Sequence, residues 1–336
     1  MFFDILGCRP EYGHYFRRRK ESFVPMHYAI KRILLGIPTL LAMFTAIFLL
    51  VRVVPGDAAT VILGDQASAA SLEALRIKLG LDQPLWRQYA DFLFGALSGD
   101  LGTSLVTSRQ VMTEILRVLP STLQLAAGSM VFGLLLGLPL GVVAAVYQGR
   151  WPDYVGRVVS LLGLSLPAFV GGILLLLVFA IQLQWFPVIP MGTGLVDDLR
   201  GLVLPVCTLG FIMSAYVARV TRTSMLSVLG EDYIRTARAK GIGTFRFVLR
   251  HALANALLPI ITVTGLYFGT LIGNAVLTEI VFNRPGMGRL ILGALNTRDY
   301  SLLQGLMIVF AAFVVVANVV TDLLYGVVDP RVRVGR

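Results

Sequence analysis

Residues 121–147 read STLQLAAGSMVFGLLLGLPLGVVAAVY, without one Asp, Glu, Lys or Arg. About 20 apolar residues suffice to cross a hydrocarbon layer roughly 30 Å thick. Lipid offers backbone N–H and C=O groups no partner, so such a stretch has to be a helix. Five further stretches meet the same criterion: 33–54, 158–183, 202–220, 257–282 and 302–327. The expected fold is therefore all-α, a polytopic membrane protein with six transmembrane helices. Composition agrees. Of 336 residues, 56% are hydrophobic and 14% charged, with a mean hydropathy of +0.78, whereas soluble domains carry about 25% charged residues.

The net charge of +10 does not point to nucleic acid, because the basic residues are placed by side of the membrane. With the N-terminus cytoplasmic, roughly two thirds of the 29 Lys and Arg residues fall on inside segments, as the positive-inside rule requires. Asp and Glu lean the other way. Both termini are expected inside. Residues 1–25 are polar and basic and lack the apolar core of a signal peptide. Met26 directly precedes the first span, which leaves two candidate starts, Met1 and Met26, with 1–25 an upstream extension in the second case. Cys8 and Cys207 form no disulfide framework. His14, His27 and His251 are scattered and make no metal site.

The long outer segment, 55–120, has a pattern of its own. SLEALRIKLG (71–80) reads as a short helix capped by Ser71 and stopped at Gly80. DQPLWRQYADFLFGAL (82–97) sets Leu85, Tyr89, Phe92, Leu93 and Ala96 on one face. VMTEILRVL (111–119) reads as a third short helix. Together these form a small helical extracytoplasmic cap over the outer mouth. The plainer reading is an interfacial belt resting on headgroups.

Two spans carry glycines four residues apart: Gly133, Gly137 and Gly141 in the second, Gly265, Gly269 and Gly273 in the fifth. Four residues is about one turn, so each set lines one face. Small residues let membrane helices approach closely, for packing or for lining a translocation path. Pro139 and Pro167 are expected to kink their spans. Ionisable residues are rare at mid-span. Asp322 and Glu279 lie near span ends, which argues against an ion-coupled carrier. There is no G-x-x-x-x-G-K-[ST] loop for ATP, and no nucleophile elbow or H-E-x-x-H for hydrolysis. No catalytic residue is assigned, and no metal.

The longest inner segment holds EDYIRTARAKG (231–241). Glu231 and Asp232 open a helix while Arg235, Arg238 and Lys240 sit toward its end, in the order that suits the helix dipole. Gly241 and Gly243 stop it. Tyr233, Ile234, Ala237 and Gly241 share one arc. A helix near ten residues is marginal alone in water. Its inward face is Ala and Gly rather than the Trp, Phe or Leu of a lipid-seated helix, so a protein partner is the stronger reading. FRFVLRHALANALLP (245–259) follows as a second helix leading into the fifth span.

GEDYIRTARAKG (230–241) followed by HALANALLP (251–259) resembles the cytoplasmic signature loop of binding-protein-dependent ABC importers, in particular the dipeptide/oligopeptide/nickel permease group. Arg235, Thr236 and Ala237 stand in the Glu-Ala-Ala positions of the wider family, with Gly241 as its glycine. The missing Glu and the longer glycine-to-proline spacing match the peptide-permease branch. VPGD (54–57), LGLDQP (79–84), GDLGTS (99–104), PGMGR (285–289), RDYSLLQG (298–305) and DLLYGVVDPR (322–331) extend the resemblance over 26–333.

The resemblance implies a type I ABC importer fold in the plasma (inner) membrane. It implies a second, paralogous permease subunit, two cytoplasmic ATPase subunits carrying ATP and Mg, and an extracytoplasmic substrate-binding protein. This chain would bind no cofactor and no nucleic acid, and its surroundings are membrane lipid. Glu231, Asp232, Tyr233, Arg235, Thr236, Ala237, Arg238, Ala239, Lys240 and Gly241 would form the coupling helix that docks on an ATPase. The chain then divides into a basic cytoplasmic tail (1–32), a first helix (33–54), the extracytoplasmic segment (55–120), a five-helix permease core (121–327) with the coupling loop at 221–256, and a cytoplasmic tail (328–336). Peptides are the expected cargo, with a nickel chelate or glutathione as alternatives. The rival readings are an ion-coupled carrier acting alone and a membrane scaffold that moves nothing.

Overall fold

The computed structural model describes residues 26–53, 59–60, 67–78, 80–188, 194–232 and 248–328. Ten helices carry it: α1 (Met26–Val53), α2 (Ala69–Lys78), α3 (Leu85–Ser98), α4 (Val111–Val146), α5 (Trp151–Ser165), α6 (Ala168–Leu175), α7 (Leu195–Leu229), α8 (Ala254–Val281), α9 (Met287–Asn296) and α10 (Tyr300–Val328). A wider π turn, Leu176–Gln182, extends α6, and another, Val248–Leu253, leads into α8. Among the described residues the only β pairing is an isolated bridge between Thr103 and Gln110.

Among the described residues five helices are long and apolar enough to cross a membrane, and α5 with α6, a pair bent by 103°, makes six when counted as one broken span. The expected kink at Pro167 is thus a break between two helices. Proline has no N–H to continue α5, and it drives the residue before it out of the helical region: Leu166 is extended at φ −88°, ψ 125°. The opposite happens at Pro120. The short helix expected at 111–119 does not end there but runs on through Pro120 and Pro139 as the single helix α4. Within a long helix each proline removes one backbone bond. At about 1.5 Å per residue α4 is near 54 Å long, so it projects well beyond a 30 Å hydrocarbon layer.

The start of α2 is also corrected. Ser68, not Ser71, caps it, since the Ser68 Oγ accepts the Ser71 N–H at 3.2 Å and its carbonyl accepts the Leu72 N–H. Ala69 and Ala70 are strong helix formers and carry the helix one turn upstream of its first apolar residue. On α3, Phe92, Leu93 and Ala96 pack with Phe44 and Ile47 of α1 and Ile308 and Ala311 of α10. Tyr89 stands edge-on to Phe48 at 5.1 Å and shares a 2.6 Å hydrogen bond with Thr45. Leu85, expected on this face, is exposed instead. A short helix, α9, begins within PGMGR, at Met287, where no helix is expected from the sequence.

The core lies between α4, α7 and α8, around Leu125, Leu209, Met213, Val217, Leu271 and Ala275. Its closest seam joins α4 to α7, which run in the same direction. Gly133 faces Met213 and Gly210, Gly137 faces Ser214 and Val217, and Gly141 faces Ala218 and Thr221. A Cβ on Gly137 would sit 2.7 Å from both the Ser214 carbonyl oxygen and the Val217 Cβ. Such room exists only for glycine.

One end of this bundle, called here the lower end, holds the finish of α4, the start of α5 and the finish of α7. Asp153, 1% exposed, is the knot. Arg222 on α7 donates to it through Nε at 2.6 Å and Nη2 at 3.0 Å. The Gly149 N–H donates at 3.0 Å, from a turn where Gly149 takes φ +74°. Nearby, Arg32 of α1 pairs with Asp322 of α10 at 3.1 Å. At the upper end Asp299 is the counterpart. It accepts from the Ser104 hydroxyl at 2.5 Å, from the Leu105 N–H at 3.2 Å and from the Leu302 N–H at 3.1 Å, so it caps α10 and pins the turn before α4 together.

Two outcomes test this packing. Gly137→Ala should lower stability by about 1–3 kcal/mol through overpacking, seen as a lower melting temperature of the purified protein, with Gly273→Ala as the tolerated comparison. Asp153→Ala should cost more than Asp153→Ala combined with Arg222→Met, because the single change strands a half-buried guanidinium; a thermal double-mutant cycle reads the difference.

Candidate translocation and coupling site

The functional surfaces expected from the sequence fall at three places. The α4 glycines, Gly133, Gly137 and Gly141, are buried in the seam with α7. The α8 glycines grade from tight to open. Gly265 meets the Thr321 side chain of α10, Gly269 lies 3.6 Å from the Asn318 Oδ1 through an added Cβ, and Gly273 meets nothing within 4 Å. Gly273 is exposed together with Leu266, Thr270 and Leu277 on the same side of α8. One face of α8 therefore seals the chain to itself and another is left open.

Of the expected coupling residues, Glu231 and Asp232 are described, at the lower end. α7 ends at Leu229, and Glu231 and Asp232 follow it, both exposed. Tyr233, Arg235, Thr236, Ala237, Arg238, Ala239, Lys240 and Gly241 lie outside the described residues. The chain is described again from Val248, whose helix carries it back through the bundle as α8. The segment thus joins α7, which descends, to α8, which ascends. A cavity of about 420 Å³ lies beside this end between α4, α5 and α7, with Leu140, Ala144, Ser160 and the arginines 157, 219 and 222 in its wall.

The upper end holds a buried polar cluster that inspection of the sequence does not single out. Glu279, on the last turn of α8, is fully buried. Thr122 of α4 donates to it at 2.6 Å and the Gly288 N–H at 2.7 Å, while the Thr122 hydroxyl accepts from the Met287 N–H at 2.9 Å. Three elements, α4, α8 and α9, meet on one carboxylate. The PGMGR stretch makes the approach possible. A Cβ on Gly286 would strike the Glu279 carboxylate, and one on Gly288 would strike the Val276 backbone.

Arg284, in the turn between α8 and α9, is 8% exposed. Its Nη2 donates to the Gln124 Oε1 at 3.3 Å. Burial lowers the guanidinium from its ordinary value, an effect that Asp198 and then Glu279 partly offset. The guanidinium stays charged at any physiological pH. The signal that could have found this cluster is the spacing of Glu279, Arg284 and the two glycines in one ten-residue stretch beside a span end.

The described residues form helices, seams and charged ends, and comparison with known proteins places such a chain among transport proteins. The family described as "Binding-protein-dependent transport system inner membrane component" matches residues 137–334, and its N-terminal companion matches 25–126. The glutathione transport system permease protein GsiC of Escherichia coli O6:H1 is 42% identical over 308 residues, covering 92% of this chain and 99% of that protein. The protein of the same name from Salmonella choleraesuis is 41% identical over the same shares. Among solved structures, an inward-facing conformation of the MetNI methionine ABC transporter aligns with a TM-score of 0.53 at 18% identity, covering 64% of this chain and 95% of that one. That likeness bears on the fold alone. Chains of this family are transport subunits working with separate ATPase and substrate-binding partners, the ATPases using ATP and Mg. The chain belongs to the binding-protein-dependent inner membrane permeases, as a multi-pass ABC importer subunit of the peptide, glutathione and nickel family.

Proposed function

We propose that this chain is one of two paralogous permease subunits that carry small peptides inward, with a glutathione-like tripeptide as the leading cargo. The observation that carries this reading is the 42% identity running along 99% of a glutathione permease. A tripeptide also agrees with the peptide cargo expected from the signature stretches.

The reading places both termini and the segment 221–256 in the cytoplasm, and the segment 55–120 outside, receiving the loaded binding protein. The basic excess on the inner segments supports this orientation. The division of the chain into tails, first helix, outer segment and five-helix core follows from it. Glu231, Asp232, Tyr233 and the residues from Arg235 to Gly241 form the coupling helix. ATP binding draws the two ATPase subunits together, and each coupling helix moves with the groove that holds it. Because α7 and α8 both issue from this segment, its displacement is passed to the two helices that flank the core. The open side of α8 around Gly273 is the surface offered to the second permease or to the path between them. No bond is made or broken by this chain.

Reconstitution of the two permeases, the ATPases and the binding protein in vesicles tests the docking role. Ala237→Trp or Gly241→Trp should lower ATP-driven peptide uptake by at least about tenfold, a loss near 1.4 kcal/mol of coupling, while the protein still inserts. Uptake at the parental rate in both variants contradicts docking through this face. Accumulation driven by an ion gradient, by this chain alone, would favour the carrier reading instead.

A further inference from the structure

Two arginines among the described residues, half-buried Arg222 and buried Arg284, are treated differently. Arg222, at the lower end, spends Nε and Nη2 on one carboxylate. Arg284, at the upper end, is 8% exposed, and its Nε is buried with no hydrogen-bond partner among the described residues. The one side-chain acceptor it reaches among the described residues is Gln124, at 3.3 Å. Among the described residues no carboxylate lies within 4 Å of it. The Glu279 carboxylate is occupied by Thr122 and the Gly288 N–H. Asp198, in the first turn of α7, acts on it from farther away. Arg289, in the first turn of α9, donates to the Asn283 carbonyl.

A buried guanidinium donor left unpaired is expensive, and an ionisable group at a membrane helix end without a dedicated partner marks a pathway more often than a packing site. The planar fork of an arginine matches a carboxylate with two parallel bonds. Gln124 is exposed and so are Ala127 and Val131, the next residues along that edge of α4. The acceptor that holds the buried guanidinium is thus itself at the surface, at the upper end of the bundle.

We propose that Arg284, held by Gln124, is the anchor for a carboxylate of the carried peptide at the outer mouth of the permease, with Asp198 facing the peptide's ammonium group. The proposal rests on the peptide-importer reading. A lipid phosphate offers similar oxygens, but Asp198 and Glu279 nearby repel a purely anionic headgroup, whereas a zwitterionic peptide presents a cation to Asp198.

The test uses the assembled importer in vesicles of zwitterionic lipid, with binding protein saturated by a tripeptide or by its C-terminal amide. The wild-type complex should carry the free acid about tenfold faster than the amide, one charge-assisted hydrogen bond's worth of discrimination. Arg284→Gln should bring that ratio close to one, Arg284→Lys should keep part of it, and Gln124→Leu should reduce it. A ratio that stays at the parental value in Arg284→Gln overturns the anchor, as does an equal slowing of both peptides. Loss of the second permease from the purified variant overturns it too, by assigning the arginine to the subunit contact. Restoration of the parental ratio only when anionic lipid is added would assign it to a headgroup. Should Arg284→Gln fail to fold, an unaltered ratio in both Arg284→Lys and Gln124→Leu overturns it. A wild-type complex that carries neither peptide overturns the importer reading itself, a failure visible without any variant.

Discussion

Lipid gives a helix no hydrophobic reason to prefer one neighbour, since its tails are as apolar as leucine. The contact between α4 and α7 must come from fit. Gly133, Gly137 and Gly141 remove the side chains that would hold the two backbones apart, and Met213, Val217 and Thr221 fill the space. The remaining packing is arranged around that seam. α5 enters it through Gly163 against Ala215, and α8 closes the other side through Leu271 and Ala275. Dispersion is weak per atom and large in sum only when atoms touch, so this seam tolerates little change in shape.

The ends of the bundle are held by chemistry of another kind. Each is tied by a buried carboxylate whose oxygens are consumed by donors from separate elements. Asp153 gathers Arg222 and the Gly149 N–H below. Glu279 and Asp299 gather hydroxyls and backbone N–H groups above. A carboxylate satisfied by several donors fixes direction as well as distance. Such knots give α7 and α8 defined ends, which a segment connecting them needs if it is to move them as rigid bodies. The permease role asks for that combination, close-packed rods with firm ends and a loop between two of them.

Against these saturated carboxylates Arg284 stands out. The chain supplies donors to its buried acids generously and acceptors to this buried base sparingly. The contrast matters more than the arginine alone, because it sets a standard for how the same fold treats a charge whose task is structural.

The spans, their number and the short-helix character of 69–98 were legible in the sequence, because lipid imposes length and apolarity residue by residue and each helix satisfies its own backbone. The EDYIRTARAKG stretch pointed to the family for a similar reason: the resemblance is carried by one contiguous run of residues. Continuity was not legible. Pro120 and Pro167 look alike in sequence, yet α4 runs through the first and α5 breaks at the second, since neighbours across the bundle decide whether a lost backbone bond is tolerated. Nor could the sequence say that Glu279, near a span end like Asp322, would be fully buried, that Ser104 and Asp299 would meet, or that the glycines of α8 would part into a sealed face and an open one. What the order of residues determined by itself is which segments are apolar enough to cross the membrane and which family the chain belongs to. Only the tertiary structure decided which charges are satisfied, because a buried carboxylate or guanidinium finds its partners on helices far away in the chain.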